Sequence, residues 1–238
     1  TNSIPTTITG LSPNTAYSCH VSAICAPGDT SSLSTPTFFT TACAPTLAPI
    51  NENFDSGFSP CWSQDIINDD FDWELEDGGT PSNGTGPDDD VSIGGNYMYT
   101  EASAPRQDGD FAIMYSEEID LSTLTNPEIR FYTHMYGSAI GELQVDVFDN
   151  GSYTTIFNKI GEQVDAWVEE VILINPTSTI VHFRITGILG VNANGDTWPG
   201  DIAIDEFSVV EAIANDIEVS NTITVSYTQL TLPTKQMV

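Results

Sequence analysis

From Glu128 to Phe148 the chain reads EIRFYTHMYGSAIGELQVDVF, with apolar and polar positions in alternation. Ile129, Phe131, Met135, Leu143, Val145 and Val147 hold odd positions, and the even ones are mostly polar or amphipathic. A period of two belongs to a half-buried strand. Gly137-Ser138-Ala139-Ile140-Gly141 interrupts the run, so the pattern predicts an antiparallel hairpin folded about residue 139. That fold-back sets Tyr136 against Glu142, His134 against Gln144 and Tyr132 against Asp146. All odd residues then share the core face, and a slip of one residue would break the agreement.

Similar short runs follow one another from residue 51 onward. Candidate strands are Asp72–Leu75, Tyr97–Glu101, Phe111–Ser116, Thr154–Lys159, Trp167–Leu173, Ile180–Thr186 and Ile202–Val210. No stretch of helical length with a 3.6-residue period competes with them. Short strands at regular spacing predict an all-β fold, a β-sandwich of the jelly-roll kind. A domain of roughly 160 residues buries about 70% of its unfolded surface, enough to fold alone. Asp77-Gly78, Asn83-Gly84, Asp108-Gly109 and Asn150-Gly151 mark turns. Asn83-Gly84-Thr85 and Asn150-Gly151-Ser152 are also glycosylation sequons.

Ahead of that region, residues 1–43 carry Leu11-x-Pro13-x-Thr15-x-Tyr17, then Val21 and Ala23, a turn at Pro27-Gly28-Asp29, and a closing strand Thr37–Thr41. This piece resembles the last three strands of a fibronectin type III domain, and the resemblance makes Tyr17 a corner tyrosine whose hydroxyl ties the preceding loop. Strands for the opposite sheet are missing, which implies a fragment of a longer modular protein. Ala44–Ile50, APTLAPI, reads as a Pro-rich linker. Beyond Ala212 the pattern fades. From Asn221 onward no acid occurs, and the last dozen residues read as a linker or a translated library adapter.

Residues 51–212 resemble a MAM domain, the extracellular module named for meprin, A5 antigen and receptor phosphatase mu. The resemblance rests on landmarks in order: Phe54-Asp55, Cys61-Trp62, Asp70-Phe71-Asp72-Trp73 and Thr85-Gly86-Pro87-x-x-Asp90. Tyr97-Met98-Tyr99, Gly109-Asp110-x-Ala112, His134-Met135-Tyr136-Gly137 and Gly141-x-Leu143-x-Val145 follow, then Trp167 and Asp201-Ile202-Ala203-Ile204-Asp205-Glu206. The family usually carries further cysteine pairs in the body of the domain, and nothing after Cys61 can form one here. The resemblance implies a non-catalytic role in adhesion or recognition.

Charge narrows the partners. The chain of 238 residues has 34 Asp and Glu against 5 Lys and Arg, a net charge of −29. Nucleic acid and anionic membrane surfaces would repel it. Cations, neutral or basic proteins, and glycans remain, and a solvated acidic surface is the plain alternative. No run approaches the ~18 apolar residues of a membrane span, so no direct membrane insertion is expected. Four cysteines, Cys19, Cys25, Cys43 and Cys61, include no CxxC, which favours disulfides in an extracellular, oxidising setting. Cys19 and Cys25 on one strand would stand about 20 Å apart, beyond the ~7 Å limit of a bridge. Cys43 with Cys61 is the preferred pair.

Three candidate chemistries remain. His20, His134 and His182 are scattered, with no HExxH or GxSxG, so no catalytic residues are assigned. Acids at the two ends of the domain suit a structural Ca²⁺, because hard cations take six to eight oxygens, and Asp55, Asp70, Asp201 and Asp205 are its candidate ligands. Asp69-Asp70 and Asp88-Asp89-Asp90 add carboxylates, and a solvated acidic loop is the alternative. The outer face of the predicted hairpin sets Tyr132, His134 and Tyr136 beside Gln144 and Asp146, a mixture suited to a sugar or a protein partner at a cell surface. These residues would equally pack beneath a loop. The expectation is a recognition module of a larger secreted or cell-surface protein. The rivals are an accessory domain of a secreted peptidase or glycosidase, and a carbohydrate-binding module.

Overall fold

β-branched and aromatic runs bounded by Gly, Asn and Asp become strands throughout the computed structural model, which describes residues 7–213 and contains no α-helix among them. The tail reading for 214–238 lies outside the described residues. Strands β1 (Ala16–Cys19), β2 (Ile24–Ala26), β3 (Asp29–Thr30) and β4 (Thr37–Thr40) make two small ribbons, β1–β4 and β2–β3. Next come β5 (Thr46–Leu47), β6 (Ile50–Glu52), β7 (Ser63–Gln64), β8 (Glu74–Glu76) and β9 (Tyr97–Tyr99). They are followed by β10 (Phe111–Tyr115), β11 (Ile119–Asp120), β12 (Pro127–His134), β13 (Glu142–Asp149) and β14 (Ser152–Ile160). β15 (Val168–Leu173), β16 (Ile180–Ile188) and β17 (Ala203–Glu211) complete the set.

Two sheets face each other as a jelly-roll sandwich. A seven-stranded sheet runs β14-β13-β16-β10-β7, with β11 on β16 and β5 on β11. A six-stranded sheet runs β15-β12-β17-β9-β8, with β6 on β17. The expected hairpin does not form. β12 pairs with β15 and β17, whereas β13 pairs with β14 and β16, so the two strands belong to opposite sheets. The segment between His134 and Glu142 is therefore an arch. At both ends it presses on other backbone: a Cβ added at Gly137 would stand 2.3 Å from Pro199 O, and one at Gly141 would stand 2.1 Å from Ile188 O.

Alternation predicted the buried face correctly and could not choose the partner. In a sandwich both inner faces point at one core, so a hairpin and an arch place the same odd residues inside. Ile129, Phe131, Leu143 and Val145 are indeed fully buried. Aromatic rings fill the gap between sheets. Phe207 lies against Phe131 at 5.8 Å, Phe183 at 5.3 Å and Trp62 at 5.5 Å between ring centres.

The stretch read as a linker is built into the sandwich. Thr46–Leu47 pairs in parallel with Ile119–Asp120, Ile50 pairs with Val209, and Ala48 and Ile50 are buried. Its alternate apolar residues explain this: Pro49 blocks no ladder bond that β6 needs, and Ala48 and Ile50 point inward. Just before it, Cys43 and Cys61 are joined by a disulfide, while Cys19 and Cys25 are free.

Candidate functional site

Residues 77–96 form no regular strand and lie as a roof over the outer face of the six-stranded sheet. Several hydrogen bonds fasten it. The Tyr97 hydroxyl donates to Gly78 O at 2.6 Å, and Trp167 Nε1 donates to Asp89 O at 2.9 Å. Val91 N donates to Asp205 Oδ2 at 3.2 Å, and Gly86 N donates to Tyr136 O at 3.2 Å. Beneath it Tyr97, Tyr99 and Ala203 form a second, smaller apolar cluster with Trp167 packed against it.

A break in alternation puts a carboxylate there. β12 and β17 shift register between Arg130 and Tyr132, and Glu206 opposite the shift has φ of 51°. One extra residue reverses the faces of a strand, which is what a β-bulge does. Ile204 and Phe207 therefore both point inward, and Asp205 turns out beneath the roof. It is 1% exposed, and burial, with Glu206 and Asp90 adding to it, pushes its carboxyl up to about 7. Asp201, also buried, accepts Ala102 N at 3.0 Å and is pushed up to about 7, chiefly by burial.

Two more acids meet at Gly95. A Cβ there would stand 1.9 Å from Asp55 Oδ1 and 2.6 Å from Asp90 Oδ2, so only a glycine lets these carboxylates come so close. Asp55 Oδ1 accepts Asn96 N at 3.0 Å, and Asp90 Oδ2 accepts Ser92 N at 3.1 Å. Asp90 Oδ1 is buried without a hydrogen-bond partner among the described residues. Along the same roof a cavity of about 280 Å³ is lined by Asp88, Asp89, Asp90, His134, Asp165 and Trp167. His134 faces Asp165 at 3.4 Å through Nε2, its Nδ1 is unpartnered, and burial pushes its pKa down against the pull of Asp165.

A family model described as MAM domain, meprin/A5/mu, matches residues 53–212. The chain belongs to the MAM family. MAM domain-containing glycosylphosphatidylinositol anchor protein 2 of Homo sapiens is 32% identical over 184 residues, covering 70% of this chain and 18% of that protein. Anchor protein 1 of Gallus gallus is 31% identical over 150 residues, 59% of this chain and 15% of that protein. This chain thus spans less than a fifth of the length of these relatives. Among solved structures, the K2 cleaved adhesin domain of Lys-gingipain superposes with a TM-score of 0.48 at 13% identity, over 69% of this chain and 99% of that one. MAM membership makes the module extracellular.

Within the MAM module the expected binding patch comes apart. Tyr132, His134 and Tyr136 lie on or beside the six-stranded sheet, while Gln144 and Asp146 lie on the outer face of the seven-stranded one. His134 and Tyr136 reach the roof; Tyr132 stays half-buried on β12, where it pairs with Glu169 and Asp205. Asp146 accepts Arg184 Nη2 at 2.8 Å, Thr155 Oγ1 at 2.6 Å and Gln144 Nε2 at 2.8 Å, so it holds its own sheet together.

The expected calcium ligands also divide. Asp70 accepts Phe111 N at 3.1 Å, away from the roof, whereas Asp201 accepts Ala102 N, keeps Oδ2 buried without a partner among the described residues, and meets the roof through its N–H, which donates to Thr85 Oγ1 at 2.9 Å. Among the described residues no group of three or more His, Cys, Asp or Glu closes around a metal position. Asp55 and Asp205 do come to the roof, and Asp90 joins them. The unpartnered Asp90 Oδ1 and this all-oxygen donor set fit a hard cation better than any softer metal. Asp205 was legible as an acid in the closing motif, but the bulge that aims it outward leaves no mark in the periodicity.

Proposed function

We propose that this chain is a non-catalytic recognition module of a larger extracellular protein, binding a protein or a glycan at a cell surface. The family match over residues 53–212 carries the reading. The histidines support it, since each has a structural partner: Ser34 O for His20 at 3.1 Å, Asp165 for His134, and the Tyr153 hydroxyl for His182 at 2.9 Å. Residues 1–43 are read as the last three strands of a fibronectin type III domain. The Tyr17 hydroxyl accepts Ser12 N at 2.9 Å, as a corner tyrosine would, and Phe38 is 77% exposed on an uncovered ribbon. On beads, the full chain should bind cell surfaces and turn over nothing. Hydrolysis of casein or a polysaccharide panel by the purified chain would instead make it an enzyme, and binding no better than bare beads would remove the recognition role.

A structural cation at the roof is the second part of the reading, favoured by the unpartnered Asp90 oxygen. Asp55 and Asp90, whose carboxylates meet at Gly95, would hold it. When bound, the ion would supply positive charge that offsets these two carboxylates and ties the start of the domain to the roof. Calcium should then raise the melting temperature and EDTA should lower it, with Asp90→Asn removing the difference. A melting temperature indifferent to EDTA would remove the cation.

A further inference from the structure

The outer face of the seven-stranded sheet bears an aromatic row that no loop among the described residues roofs. Phe148 on β13 stands between Tyr153 on β14 and His182 on β16 in cross-strand register. It stacks on His182 at 4.7 Å and meets Tyr153 edge-on at 5.0 Å. Tyr115 on β10 closes the row, 6.5 Å from Tyr153 and 6.4 Å from His182. All four rings are half-buried. Their polar ends are tied within the sheet, since the Tyr115 hydroxyl donates to Asp65 Oδ2 at 2.8 Å and the Tyr153 hydroxyl bonds His182 Nε2. A groove of about 450 Å³ opens between this row and the Cys43–Cys61 disulfide, bordered also by Ser63, Glu117 and Glu118.

We propose that this groove binds a neutral glycan, with a pyranose ring against Tyr115 and Tyr153 and its hydroxyls bonded to Glu118 and Ser63. This rests on the recognition reading and names its site and ligand class. The chemistry selects among ligands. Rigid tyrosine rings offer apolar area at low entropic cost to the C–H face of a sugar, and a nearby carboxylate and hydroxyl match the mixed donors and acceptors of a diol. The volume lies within the few hundred Å³ usual for small-ligand sites.

Charge decides the rest. An anionic glycan would meet Glu117, Glu118 and a net charge of −29. An organic cation at the Tyr153 ring would meet the like charge of the Arg184 guanidinium, 4.2 Å from that ring centre, which a neutral sugar does not. Arg184 is fixed there by Asp146, which accepts Nε at 3.0 Å and Nη2 at 2.8 Å. Glu117 is engaged by the Thr46 hydroxyl, which leaves exposed Glu118 as the carboxylate facing a ligand.

The test is an NMR titration of the full chain with gluco-, galacto- and xylo-oligosaccharides, alongside tetramethylammonium and a sulfated disaccharide. Shifts should come from a neutral sugar alone and cluster at Tyr115, Tyr153 and His182. Tyr153→Ala should weaken binding roughly tenfold, in line with the loss of an aromatic contact. Glu118→Gln, at an exposed position that spares the fold, should weaken it roughly tenfold, as loss of one charged hydrogen bond does. Absence of shifts at about 10 mM sugar, the edge of measurable affinity, would overturn the proposal, as would tighter binding of tetramethylammonium or unchanged binding by Glu118→Gln. If beads carrying the chain still bind cells in that case, the groove is wrong and the recognition role stands.

Discussion

The two outer faces of the sandwich are made from the same kind of alternating strand and end in different states. On the six-stranded sheet a long loop covers the surface, and Asp201 and Asp205 are buried with carboxyls pushed up to about 7. On the seven-stranded sheet no loop among the described residues covers the strands. Asp146, though buried, is paired with Arg184 and keeps its pKa below the usual range, because the hydrogen bonds of Thr155, Gln144 and Arg184 outweigh its burial. Burial alone therefore does not set a carboxylate's charge; the partner it finds does. The covered face stores Asp201 and Asp205 with backbone hydrogen bonds but no cationic partner among the described residues, and the open face displays rings and satisfied polar groups.

Breaking what the faces share should have the largest effect. Phe207→Ala removes the ring that touches Trp62, Phe131 and Phe183, and should cost about 3–5 kcal/mol by urea unfolding. Both faces should unfold together. On the open face alone, Asp146→Ala takes the acceptor from Arg184, Thr155 and Gln144 and should cost about 1–3 kcal/mol. The covered face should stay protected from hydrogen exchange in that variant.

The covered face should show itself through pH. A carboxyl at about 7 when folded and near 3.8 when unfolded keeps its proton in the folded state over that whole window. Stability is then fully present below the unfolded value and is lost as pH rises towards 7, by about 1.4 kcal/mol per pH unit for each such group. Urea unfolding in EDTA should find the chain more stable at pH 5 than at pH 7, with Asp201→Asn flattening the slope. The smallest effect belongs to the roof's tip, where Ile93 is 80% exposed and Ile93→Ala should change stability by less than about 0.5 kcal/mol.

What was legible from the amino-acid order follows from these physics. The strands and their inner residues were, because period two records burial and both sheets bury the same way. Pairing was not, since β12 and β13 show the same pattern as an arch or a hairpin. The bulge at Glu206 was invisible for a related reason: Ile202, Ile204, Phe207 and Val209 are all apolar, and a single parity change among them reads as noise. At the site, Tyr132, His134 and Tyr136 were read on one hairpin face with Gln144 and Asp146, and the arch puts the two groups on opposite sheets. The aromatic row went unread because Tyr115, Phe148, Tyr153 and His182 come from four strands and meet only through register. Residues 44–50 misled through their prolines, although Ala48 and Ile50 carry the inward alternation.

Both outer faces, with the site on each, exist only if β12 and β13 belong to opposite sheets. Interstrand backbone NOEs on the full chain test this directly. Contacts of Thr133 with Ile204 and of Gln144 with Thr186 are expected, following the register of each sheet. Contacts between His134 and Gln144, or between Tyr132 and Asp146, would mean a hairpin and would contradict the arrangement described.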